Sequence, residues 1–173
     1  MKLLKIAALL IVIFASNSFA QNTKFDKVDA LVISQTNELL TAYYAVKDAL
    51  VATDAKKASI EAKTFLAKLD AIDESKMTAE QKSFFKTLNG KLSNDAEHIN
   101  ESKDAEHQRE HFGDLSTNLV NLVKAFGSSD DAFVQYCPMV KKSWLSNNKA
   151  VKNPYYGNKM LTCGKVTETI SKK

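Results

Sequence analysis

The chain has 173 residues, 24 basic and 20 acidic, and a formal charge of +4. Removing Lys2 and Lys5 with an N-terminal leader lowers that charge to +2, and such a near-balance gives no electrostatic footprint for nucleic acid. A P-loop, a dinucleotide-binding glycine pattern and a Cys-x-x-Cys-His haem motif are all missing.

Lys2 and Lys5 precede an uninterrupted apolar run over residues 6–15, followed by Ser16-Asn17-Ser18. This is the order of a secretory signal peptide. The run is half of the roughly 20 residues that a helix needs to cross a bilayer, so a permanent membrane anchor is not expected. Small residues in Ser18-Phe19-Ala20 place the cut after Ala20. Removing residues 1–20 of 173 leaves 153, a length that suits one domain in the periplasm or outside the cell. The sequence divides it into a helical bundle over residues 21–127 and a cap over residues 128–173.

Over residues 25–51, Val28, Leu31, Val32, Leu39, Tyr43, Val46 and Leu50 recur at three- and four-residue steps without Gly or Pro, which predicts one long helix. Asp54 is placed to cap a second, with Ala58, Ala62, Phe65, Leu66 and Leu69 as its inner stripe. Thr78 and Gln81 form a capping-box pattern for a third, with Phe84, Leu88 and Leu92 on one face. The fourth spans residues 104–126, with Leu115, Leu119, Leu122 and Phe126 as its seam and Gly127 as its stop. Four helices with short polar links make the expected class mainly α, an up-and-down four-helix bundle.

After Gly127 the helical period ends. Ala132-Phe133-Val134-Gln135-Tyr136 reads as a short strand, and Pro138, Pro154, Gly157 and Gly164 break the remainder into an irregular C-terminal cap. Trp144, with Lys141, Lys142, Tyr155 and Tyr156, marks either a partner-binding surface or a plug beneath the loops.

The chemistry-bearing residues concentrate in that cap. Cys137-Pro138-Met139 and Met160-Leu161-Thr162-Cys163 each pair a cysteine with a methionine. Thiolate and thioether are soft donors that suit copper(I) or silver(I), while zinc seldom takes thioether. In an oxidising compartment the same thiols have a competing fate, a disulfide. His107 and His111 lie one turn apart on the fourth helix, close enough to share a metal, with His111 on the shoulder of the apolar seam and His107 nearer solvent. His98 lies off the stripe of the third helix and reads as exposed. A Cys137–His111 nucleophilic pair is disfavoured, because Pro138 removes a backbone N–H from a would-be oxyanion hole.

Gln108-Arg109-Glu110-His111-Phe112, Lys124-Ala125-Phe126-Gly127, Val134-Gln135-Tyr136-Cys137-Pro138-Met139, Trp144-Leu145-Ser146 and the run from Asn153-Pro154-Tyr155-Tyr156-Gly157 to Met160-Leu161-Thr162-Cys163-Gly164 together resemble the bacterial domain-of-unknown-function family numbered 3347. The resemblance implies an exported bacterial protein, related to domains appended to CusB-like heavy-metal efflux adaptors. By association, it implies copper or silver handling.

The expectation is therefore a non-enzymatic, exported soft-metal-binding protein for storage, delivery or sensing of copper(I) or silver(I). Its candidate ligands are Cys137, Met139, Met160, Cys163, His111 and His107, and its candidate partner is an envelope protein or heavy-metal efflux component. The alternative is a non-catalytic periplasmic interaction module stapled by a Cys137 to Cys163 disulfide.

Overall fold

The computed structural model describes residues 23–173. The expected signal peptide and its expected cut after Ala20 lie outside them. The described chain contains helices α1 (Ala30–Val51), α2 (Ala55–Asp70), α3 (Ala79–Glu101) and α4 (Ala105–Phe126), followed by strands β1 (Ala132–Cys137), β2 (Lys142–Ser146) and β3 (Lys165–Ile170). None of these helices is long and apolar enough to cross a membrane.

Side-chain caps set the helix starts. Asp29, Asp54 and Asp104 accept from backbone N–H groups of the first turns of α1, α2 and α4, and Thr78 and Gln81 complete a reciprocal capping box on α3. Helix α1 therefore begins at Ala30, five residues later than the apolar periodicity predicts. Periodicity cannot separate a helical turn from an extended lead-in that buries the same residues. Phe25 belongs to the lead-in: its N–H donates to the Ala125 carbonyl at 3.0 Å, and its ring packs at 5.7 Å from Phe84 and 5.2 Å from Phe126.

Each helix packs on the next, and α1 also packs on α4. The shared core includes Val32, Leu39, Leu50, Phe65, Leu92, Leu115, Leu119, Leu122 and Phe126. On α3 the deeply buried aromatic residue is Phe85, while Phe84, expected on the inner face, is only half-buried. Phe84 packs at the edge of the core, against Phe25 of the lead-in at 5.7 Å and Phe126 at 6.3 Å.

The C-terminal region is more regular than an irregular cap. Its strands form an antiparallel sheet in the order β2-β1-β3, with a register shift at Val134 and Gln135 in the β1–β3 pairing. Strand β2 packs on α4. Trp144 on β2 is fully buried and lies 5.9 Å from the Tyr155 ring, so it plugs the space beneath the sheet and is no surface anchor. The reading by turn residues missed β2 and β3 because their strand character depends on pairing with β1, a non-local interaction.

Candidate functional site

Two groups of metal-capable side chains stand out, one at the end of β1 and one across the α3–α4 turn. Cys137 closes β1 opposite Lys142, and the turn that follows brings in the Met139 and Val140 backbone. Cys163 comes from a turn just before β3, where its N–H donates to the Met160 carbonyl at 3.0 Å. Although 26 residues separate them in sequence, the two sulfurs lie 3.1 Å apart. Cys137 is buried and Cys163 half-buried, and both are free thiols.

The two sulfurs are electrostatically unequal. Burial pushes the Cys137 thiol up, but the Val140 backbone N–H, the Cys163 thiol, the Met139 backbone N–H and the Asn153 amide outweigh it and bring the net pKa down. Donation to Cys137, together with burial, holds the Cys163 thiol up. Cys137 is thus the first of the two to lose its proton, a polarity that favours it over Cys163 as nucleophile or metal ligand. Pro138 has no N–H to give, and the next two residues supply the donors that stabilise the thiolate.

Asn153 builds the cysteine loop. Its Nδ2 donates to the Cys163 carbonyl at 2.7 Å, its Oδ1 accepts from the Tyr155 and Tyr156 N–H groups, and its own N–H donates to Leu161. Arg109 of α4 then anchors this loop to the helices, donating from Nε to the Pro154 carbonyl at 2.9 Å and from Nη2 to the Leu50 carbonyl at 3.0 Å. Gly157, at φ +52°, sits where a Cβ would come within 2.9 Å of the Val51 carbonyl, so the loop's close approach to the end of α1 requires glycine. Tyr43 joins the same regions from within: its hydroxyl meets Ser116 Oγ at 2.6 Å and accepts from the Leu145 N–H at 3.2 Å. Burial drives its pKa upward, keeping it a neutral donor and acceptor.

Met139 and Met160, on the same two loops as the cysteines, have exposed side chains, at 63% and 37% accessibility. A gap-filling role in the core does not describe either one.

His107 and His111 sit at the opening of α4, and His98, on the last full turn of α3, joins them. The ligand atoms of these three histidines all lie within 4.8 Å of one another, and neither cysteine belongs to this group. His111 stacks on His98 at 4.2 Å, with ring planes 5° apart, and meets His107 at 4.8 Å and 69°. Its Nδ1 lies 3.2 Å from Asp95 Oδ1. Burial raises the Asp95 carboxyl pKa, against the opposing hydrogen bond from His111. The structure thus gathers the sequence-derived candidates into two groups, Cys137 with Cys163 and His107 with His111.

Sequence reasoning missed His98, Asp95, Asn153 and Arg109 as members or organisers of these groups. A signal for the first two was present in the link over residues 102–104. Asp95 lies seven residues before Ser102 and His111 seven after Asp104, with His98 and His107 four before and three after, so folding the hairpin levels each pair.

The fold and its paired thiols define a mainly helical protein with four helices and a small C-terminal antiparallel sheet that carries a polarised cysteine pair. Residues 39–131 match the family described as "Protein of unknown function (DUF3347)", and the chain belongs to that family. The match covers most of the helical region and ends where β1 begins. No curated protein and no solved structure matches the chain.

Proposed function

We propose that this is an exported, non-catalytic protein that holds copper(I) or silver(I) at Cys137 and Cys163 for storage, delivery or sensing in heavy-metal handling at the cell envelope. The 3.1 Å approach of two sulfurs that are distant in sequence carries the reading. Thiolate–metal bonds of about 2.3 Å at a tetrahedral angle put two sulfurs roughly 3.8 Å apart. Opening the pair by about 0.7 Å, through rotation of the half-buried Cys163, therefore admits an ion with thiolate bonds of that length. The backbone donors on Cys137 favour its thiolate, the form that binds metal. The exposed thioethers of Met139 and Met160 add soft donors at the same loops, and these suit a monovalent soft ion better than zinc. For the helices we infer an up-and-down course, since three-residue links after α1 and α3 leave no length for a crossover.

The same sulfur contact favours a second reading, in which the pair closes to a disulfide of about 2.05 Å and staples an interaction module that docks on an envelope protein. The two states exclude each other at the cysteines. Thiol counting on the exported protein and copper(I) titration of its reduced form, against a competing chelator, separate them. Free thiols with tight copper(I) binding are expected, together with weakening of about tenfold or more in Cys137→Ser and a smaller loss in Met160→Leu. Absence of free thiols before reduction, or copper(I) binding unchanged in Cys137→Ser, overturns the copper reading.

A further inference from the structure

We propose that His98, His107 and His111 form a second metal site, separate from the cysteine pair, that takes a borderline divalent ion of the Zn2+ or Cu2+ class. Three neutral imidazoles are the donor type that suits such ions, and three protein ligands leave a coordination position open to water or a further donor.

The geometry is close to what such an ion needs. Metal–nitrogen bonds of about 2.0–2.1 Å place three nitrogens roughly 3.3 Å apart, and the three histidines already have their ligand atoms within 4.8 Å. His107 stands steeply to His111, with its ring 69° out of plane. The His98 ring lies parallel to that of His111, and parallel stacked rings cannot both aim an in-plane lone pair at one ion. His98 must therefore turn about its side-chain torsions. It has room to do so, because it is exposed on the last full turn of α3.

The surroundings orient and charge the site. Asp95 Oδ1, at 3.2 Å, engages His111 Nδ1, which selects the tautomer that leaves Nε2 free for a metal. Glu110 Oε2 lies 3.7 Å from His107 Nδ1 and adds negative charge on the same side. Asp95 is thus a positioning residue that acts through His111. The hairpin beneath is held by Gln108, whose fully buried amide Nε2, with two hydrogens, lies within 2.9–3.0 Å of the Ala55, Ile99 and Ser102 carbonyls. Consequently, the backbone that carries the three rings is fixed while the outer two rings are free to adjust, which is the arrangement a surface metal site requires.

The test uses the chain carrying Cys137→Ser and Cys163→Ser, so that its outcome does not depend on the thiol reading. Titration with ZnCl2 and with CuCl2, followed by calorimetry and by the imidazole NMR signals, should show one ion per chain and perturbation of all three histidines. His98→Ala and His107→Ala alter exposed side chains and should leave the thermal melt unchanged, while each weakens binding by about tenfold or more. Asp95→Asn should weaken it by about 10- to 100-fold through its hold on His111. Failure of both ions to bind, or equal binding in the parent, His98→Ala and His107→Ala, overturns the site.

Discussion

Leu115, Leu119, Leu122 and Phe126 reach the core of the helical region through one unbroken periodicity, whereas the cysteine-bearing loops of the sheet region are tied down by Arg109, Asn153 and Gln135. In the first region, the seam contacts are apolar, between neighbouring helices and individually replaceable by similar shapes, and buried Gln108 adds a polar tie at the helix links. In the second, a few buried polar side chains answer backbone carbonyls: Gln135 Nε2, for instance, donates to the Asn148 carbonyl at 2.9 Å and is also within reach of those of Lys149 and Ala150. A long segment with little regular structure exposes many backbone polar groups, and burying them requires partners. The comparison teaches that the helices determine whether the chain folds, and that the polar anchors determine whether the two sulfurs meet.

The sharpest way to break that division is Leu119→Ala. Leu119 is fully buried, and its truncation should cost about 2–5 kcal/mol of global stability in denaturant unfolding. A loss below about 0.5 kcal/mol would mean that the seam is not central to the core.

Arg109→Ala tests the anchors. It removes donors from the Pro154 and Leu50 carbonyls and from Thr53; the Leu50 carbonyl keeps the Thr53 N–H, so the expected cost of about 1.5–3 kcal/mol comes mainly from the Pro154 carbonyl losing its charged donor. Asn153→Ala, which removes the clamp on Cys163, should cost about 1–3 kcal/mol. Hydrogen exchange should localise that second loss to residues 153–163, and thiol labelling of Cys163 should accelerate while amides of α2 and α3 keep their protection. Uniform loss of protection across the helices would erase the distinction between the two regions.

The smallest effect has the opposite sign. Gly90 lies within α3, and a Cβ built there meets nothing within 4 Å. Gly90→Ala should therefore stabilise the helical region by about 0.5–1 kcal/mol without changing thiol labelling. A destabilised protein would show that the space beside Gly90 is not open.

Much of the helical region was legible from local chemistry. Asp54, Thr78 with Gln81, and Gly127 each mark a boundary through their own side chain or φ angle, and the structure uses all of them. The seam of α4 was legible for the same reason, since helical periodicity relates residues only three or four apart. Phe25 was misread as helical because an extended lead-in can bury the same ring. The β2 and β3 strands escaped because a strand is stabilised by its neighbour, and no local pattern reports that neighbour.

By itself, the sequence determined which donors are available: soft sulfur in Cys137, Met139, Met160 and Cys163, and imidazole in His107 and His111. Side-chain chemistry is a property of each residue alone. Only the tertiary structure decided their grouping, because the Cys137–Cys163 approach depends on the Asn153 clamp and on β1 meeting the turn before β3, and the third imidazole depends on the α3–α4 hairpin bringing His98 level with His107. Each of these contacts closes a loop of the chain, and what offsets the entropy of closure is packing distributed over both regions.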